Sequence, residues 1–204
     1  MPKAKLLLVA GLHGDEHEVV PCVERALARY KSQLPEFIFI PDMSPSALAQ
    51  KARRNGEGVD FNRQFFTNTE SAEARTIMER LAGQNFDLCL SFHEDLAEDK
   101  FYFYDSQNME GQAPLVNLRQ AIQELGVELL NGIDDTEDIC LGFEFKDGYR
   151  VCLPTPDGRL QGTFEAWALA SGLARRVHGI EVPGLADAGT KEQIVDAVFK
   201  HLIL

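Results

Sequence analysis

The sequence predicts an α/β fold, a three-layer α/β/α sandwich around a mostly parallel, doubly wound mixed sheet. Two observations carry that expectation. Short runs such as KLLLVAG (5–11) and FDLCLSF (86–92) are apolar at nearly every position, the pattern of a strand covered on both faces. Between these runs lie stretches of helical periodicity, long enough to cross over from one parallel strand to the next.

The elements follow in order. Lys5 to Gly11 is a buried strand ending in glycine. Asp15 to Arg29 carries apolar residues at Val19, Val20, Val23, Ala26 and Leu27, which is helical spacing. Phe37 to Ile40 is a second strand, stopped by Pro41. Ser44 to Gly58 is polar and interrupted by Pro45, Gly56 and Gly58, so it reads as a loop with one helical turn. Glu70 to Leu81 is a helix, Phe86 to Phe92 a third strand, Phe101 to Tyr104 a candidate strand and Ala113 to Leu125 a helix. The less regular segment after Val127, with Asp134, Asp135, Glu137 and Asp138, reads as a flap over about 127–158 within one catalytic domain spanning 1–204. Thr163 opens a short helix that Gly172 stops, Arg175 to Val182 is another strand, and Thr190-Lys-Glu-Gln193 reads as the capping box of the last helix.

Composition narrows the function. A chain of 204 residues, 45% hydrophobic and 25% charged, is long enough to bury a core without disulfides or metals as staples. A net charge of −12 speaks against nucleic acid and against an anionic membrane surface, both of which need a basic face. The apolar run Leu6 to Ala10 is too short for a signal-peptide core or a membrane span. Cys22, Cys89, Cys140 and Cys152 show no tight spacing and read as reduced packing residues of a cytoplasmic protein.

In doubly wound sheets, sites form beyond the carboxyl ends of the strands. Three chemically loaded clusters fall there: His13 to Glu18, His93-Glu94-Asp95, and Glu181 within RVHGIEVP. Two histidines and a glutamate form a ligand set for catalytic zinc that leaves one position open. His13 and Glu16, three apart, can face one point, and Gly11 and Gly14 allow the backbone to turn sharply there. His93 would close the set from a neighbouring strand. Glu181 stands between Ile180 and Val182, where an unpaired carboxylate is costly unless it has a task. His13-Gly-Asp-Glu16-His17 also matches H-x-x-E-H, in which both histidines would bind the metal and the glutamate would be the base. That alternative needs a regular helix through the motif, which Gly14 and the preceding strand oppose.

GLHGDEHE, RRNGEGVDFNRQF, DLCLSFHED and GIEVP, in that order, resemble the zinc carboxypeptidase family, including its relatives that deacylate N-acyl amino acids. The resemblance implies one zinc ion on His13, Glu16 and His93, and hydrolysis of an amide bond adjacent to a free carboxylate. It puts Glu181 at the general base, Arg53 (or the adjacent Arg54) at the scissile carbonyl, and Asn62 with Arg63 at the substrate carboxylate. Zinc lowers the pKa of a bound water to about 7. An arginine fork matches a carboxylate with two parallel hydrogen bonds. The substrates so implied are small: a short peptide or an N-acyl amino acid. A non-catalytic metal-binding module on the same fold is a third reading, opposed by the presence of the three ligands and the glutamate. Glu94 and Asp95, next to a ligand, are candidates for orienting His93 or a neighbour. The family's flap tyrosine has no counterpart in Val151 to Gly158, and the nearest is Tyr149.

Overall fold

A computed structural model of the chain describes residues 5–135, 138, 140–151 and 159–204. Glu137, Cys152 and the stretch 152–158, which the flap reading includes, lie outside the described residues.

Six strands form the central sheet: β1 (Lys5–Ala10), β2 (Glu36–Ile40), β3 (Leu88–Asp95), β4 (Tyr102–Asp105), β7 (Tyr149–Val151) and β8 (Val177–Pro183), in the order β2-β1-β3-β8-β4-β7. The first four in that order are parallel, β4 runs antiparallel to β8, and β7 is parallel to β4. Between β4 and β7 a two-stranded ribbon pairs β5 (Gly132–Ile133) with β6 (Glu144–Phe145). The region read as a flap therefore also supplies the edge strand of the main sheet.

Side-chain alternation in the strands divides the core between two faces. Leu8, Ala10, Leu90, Phe92, Ile180 and Val182 point to the layer of α1 (Val19–Tyr30), α4 (Ala113–Glu124) and α6 (Ala188–Val198). Leu7, Val9, Cys89, Val177, Tyr102 and Tyr104 point to the layer of α3 (Ala72–Leu81) and α5 (Phe164–Ala170). The second layer also contains the six-residue helix α2 (Pro45–Gln50) and a 3-10 turn at Phe61–Arg63. Leu7, Leu8 and Val9 are wholly buried, and each such side chain contributes about 1.5–3 kcal/mol relative to exposure.

Two boundaries differ from the sequence reading for local reasons. Helix α1 begins at Val19, so the chemically loaded residues before it belong to a loop. Helix α6 is capped by Asp187, whose side chain accepts from the amides of Gly189 and Thr190. Thr190 thus sits inside the first turn, and its hydroxyl donates to Asp187. The better N-cap lies three residues earlier, which displaces the capping box read from the sequence.

Candidate metal centre and cavity

The loop between β1 and α1 is held against residues 47–52. The Gly14 amide donates to the Ala52 carbonyl at 2.9 Å, and a Cβ on Gly14 would lie 1.8 Å from the Ala47 carbonyl oxygen. Only glycine permits that approach. Gly11, with φ of 70°, makes the turn out of β1. His13 and Glu16 are thereby directed toward the end of β3, where His93 stands in register with Glu181 of β8. His13 Nδ1 lies 2.5 Å from Glu16 Oε1, and His93 Nδ1 lies 2.9 Å from Glu16 Oε2. One donor atom from each of the three residues falls within 4.8 Å of the others, and all three residues are buried.

The other ring nitrogens are engaged by carboxylates. His13 Nε2 is 3.0 Å from Asp60 Oδ1, and His93 Nε2 is 3.0 Å from Glu165 Oε1 and 2.8 Å from Ser91 Oγ. A carboxylate on the far nitrogen of an imidazole fixes the tautomer and leaves Nδ1 to a metal. The donor set and its support fit a divalent ion that accepts nitrogen and oxygen ligands, zinc among them.

The H-x-x-E-H alternative is overturned here. The motif is loop, not helix, and His17 is partly exposed and outside the ligand group. Neither the Glu94 nor the Asp95 side chain orients His93, although the Glu94 backbone amide donates to Glu16 at 3.3 Å. Glu94 points to the opposite face of β3, accepting from the Val19 amide at 2.7 Å and from the Lys191 ammonium at 2.6 Å. Asp95 accepts from the Tyr102 hydroxyl. The partners of the histidines are Asp60 and Glu165, neither of which sequence reasoning assigned. Asp60 was visible as the D of VDFNR. Glu165 had a fainter signal: an acid in the apolar helix FEAWALA, where it is buried.

The electrostatics follow from this packing. Burial opposes a charge on His13, but Glu16 and Asp60 outweigh it and lift the ring to about 8. Burial would also raise Glu16, yet the two imidazoles hold it well below the usual carboxylate range. Glu181 goes the other way: burial raises it to about 8, with Glu16, Asp95 and Glu165 adding to the shift and His93 opposing it. A carboxyl group placed near neutrality suits proton transfer.

These groups line a cavity of about 280 Å³. Arg53, Asn62 and Arg63 border it, as do Tyr102 and Tyr104 on β4. Arg53 reaches Asp60 at 3.0 Å and lies 3.9 Å from Glu16. Asn62 spends its amide on α5, accepting from the Phe164 amide at 2.7 Å and donating to Glu165 at 3.2 Å. Arg63 pairs with Asp138 at 2.8 Å. Arg54 is not brought to the cavity: it is exposed, and its Nη1 donates to the Gly58 carbonyl. Tyr149 is likewise elsewhere, its hydroxyl fixed by Asp105 and the Gln107 carbonyl. It alternates onto the other face of the sheet, so the phenols that reach the cavity are Tyr102 and Tyr104. Burial, reinforced by neighbouring acids, raises both and keeps them as donors.

No curated protein matches this sequence. Among solved structures, a protein designated a metallopeptidase from Shewanella denitrificans OS217 superposes with a TM-score of 0.75 at 22% identity, over 97% of this chain and 73% of that one. A metallo-carboxypeptidase from Burkholderia cenocepacia superposes with a TM-score of 0.62 at 13% identity, over 99% of this chain and 57% of the other. A succinylglutamate desuccinylase/aspartoacylase from Rhodobacter sphaeroides gives 0.55 at 15% identity, over 99% and 56%. These likenesses establish the shared carboxypeptidase-like fold. The profile of the succinylglutamate desuccinylase/aspartoacylase catalytic domain matches residues 2–138, more than half of the chain and the part that holds His13, Glu16, Asp60 and His93. The chain therefore belongs to the succinylglutamate desuccinylase/aspartoacylase family of hydrolases.

Proposed function

We propose that this protein is a zinc-dependent hydrolase that cleaves an amide bond adjacent to a free carboxylate. The observation that carries the reading is the convergence of His13, Glu16 and His93 on one point, in a cavity that also holds Glu181, Arg53 and Arg63. The family favours an N-acyl amino acid as substrate. A short peptide, cleaved as by a carboxypeptidase, is the second reading and rests on the likeness to the carboxypeptidase fold. At about 280 Å³ the cavity is at the small end of ligand sites, in keeping with either.

His13 Nδ1, a Glu16 oxygen and His93 Nδ1 would hold the ion, which when bound would supply Lewis-acid activation of water and of the amide carbonyl. Asp60 and Glu165 keep the two imidazoles in the tautomer that presents Nδ1. Glu181 accepts the proton of the attacking water and returns it to the leaving nitrogen. Arg53, on the same wall as Glu16, stabilises negative charge developing on the carbonyl oxygen, where a single donor is worth roughly 3 kcal/mol. Arg63 binds the substrate carboxylate, and Asn62 orders the wall beside it by joining Phe164 and Glu165. The free thiols of Cys22, Cys89 and Cys140 fit a cytoplasmic protein. Among the described residues no helix is long and apolar enough to cross a membrane.

The test is metal content together with turnover, for the protein purified without chelator and for His93→Ala, on a panel of N-acyl amino acids and dipeptides. About one zinc per chain, lost together with hydrolysis in the variant, supports the site. The substrate that turns over decides between the two readings. Full metal occupancy in His93→Ala would remove that residue from the ligand set.

A further inference from the structure

The two arginines assigned to substrate anions are already in contact with a carboxylate of the chain itself. Arg63 Nη2 lies 2.8 Å from Asp138 Oδ2, and Arg53 Nη2 lies 3.9 Å from the same oxygen. Two guanidinium groups directed at one carboxylate oxygen is the arrangement a substrate carboxylate would seek. We propose that Asp138 is an internal competitor, seated where the substrate's carboxylate binds and displaced by it. This rests on the reading of Arg63 as the carboxylate clamp.

The charge balance identifies Asp138 as the group that yields. Arg53 and Arg63 face three acids, Asp60, Asp138 and, 3.9 Å from Arg53, Glu16, which is held between His13 and His93. A substrate carboxylate entering beside both would leave the anions in excess, so one acid has to give way. Asp60 is tied to His13 at 3.0 Å and helps to fix the metal ligand. Asp138 belongs to a local turn in which its other oxygen, Oδ1, accepts from the Cys140 amide at 2.8 Å and its carbonyl from the Leu141 amide at 3.0 Å. Its side chain is 22% exposed, against 8% for Glu16 and 19% for Asp60. Rotation of that carboxylate away from Arg63 needs no change in the ligand shell. The chain thereby sets a threshold that only a ligand carrying its own carboxylate can overcome, so Asp138 contributes to specificity as well as to affinity.

The probe is N-acetylglycine and its neutral twin N-acetylglycinamide, titrated calorimetrically into the zinc-loaded full chain and into Asp138→Asn, Asp138→Ala and Arg63→Met. The asparagine variant keeps an oxygen for the Cys140 amide, so it separates loss of charge from loss of the turn. Removal of a competing charge-assisted hydrogen bond is expected to tighten binding of the acid about tenfold in both Asp138 variants, with binding of the amide unchanged. Arg63→Met is expected to abolish the preference for the acid. Equal or weaker binding of the acid in Asp138→Asn, with the preference still lost in Arg63→Met, would show that Asp138 orients Arg63 instead of competing, and would overturn the proposal alone. A preference that survives in Arg63→Met, or no binding of the acid by any form, would overturn the clamp and the competition together.

Discussion

His93 and Glu165 meet at 3.0 Å, Nε2 to Oε1, across 72 residues of chain. The strand β3 carries the histidine, and the first turn of α5 carries the acid. Thr163 caps that helix through the Ala166 amide, and Asn62 binds both the Phe164 amide and the Glu165 carboxylate. The orientation of His93 thus depends on a helix terminus that is distant from it in sequence.

Loss of this contact should weaken the metal site while leaving the fold intact. Glu165→Gln is expected to lower zinc affinity by about 10–100-fold, the usual effect of removing a carboxylate behind a ligating histidine. Competition with a chromophoric chelator measures it. Unchanged affinity would mean that Ser91, at 2.8 Å from the same nitrogen, is sufficient.

Glu181 should behave differently. It stands in register with His93 but belongs to none of the ligand contacts. Glu181→Gln is expected to retain one zinc per chain and to lose about 10²–10⁴-fold in kcat on whichever substrate the wild type hydrolyses. A variant that lost metal as well would move Glu181 into the ligand set.

Behind the site, Lys191 and Glu94 form an ion pair at 2.6 Å with side-chain exposures of 2% and 1%. Removing only the cation leaves a buried carboxylate without its partner, so Lys191→Met is expected to destabilise the protein by about 3–5 kcal/mol. Lys191→Met combined with Glu94→Gln should recover much of that loss, because the amide oxygen can still accept from Val19. Denaturant unfolding of the single and double variants measures both; a double variant no better than the single would place the loss in packing.

His178 supplies a pH dependence. The ring is buried at the opposite end of β8, with Nδ1 3.6 Å from Asp105 Oδ1, beyond hydrogen-bond length. Burial lowers it to about 4, Arg176 adding to the shift and Asp105 opposing it. The folded ring binds its proton less readily than the unfolded one, whose pKa is about 6.5. Its contribution is therefore complete above about pH 6.5 and is lost as pH falls toward 4, in total roughly 3 kcal/mol. His178→Leu should show a shallower fall in stability than the wild type across that window, read from unfolding curves at pH 7, 5.5 and 4. Parallel pH profiles would show that the ring titrates alike in both states.

The alternation of buried strands and amphipathic helices was legible in the sequence, because burial on two faces and on one leave different periodicities. The sequence also nominates His13, Glu16 and His93, whose donor atoms the fold brings within 4.8 Å of one another. His13 and Glu16 are close in the chain, and His93 ends an apolar strand, so local pattern and the strand-end rule are enough to nominate them. The contacts behind the two histidines were not legible there. Asp60 meets His13 across 47 residues and Glu165 meets His93 across 72, distances over which no period links the partners. Alternation along a twisted sheet sent Tyr149 to the face away from the cavity and brought Tyr102 and Tyr104 to it. Arg53 and Arg54 are adjacent in sequence, yet one borders the cavity and the other turns to the Gly58 carbonyl. Composition and spacing say which residues can do chemistry; which of them share a point in space follows from strand register and loop packing, set by contacts distant in the chain.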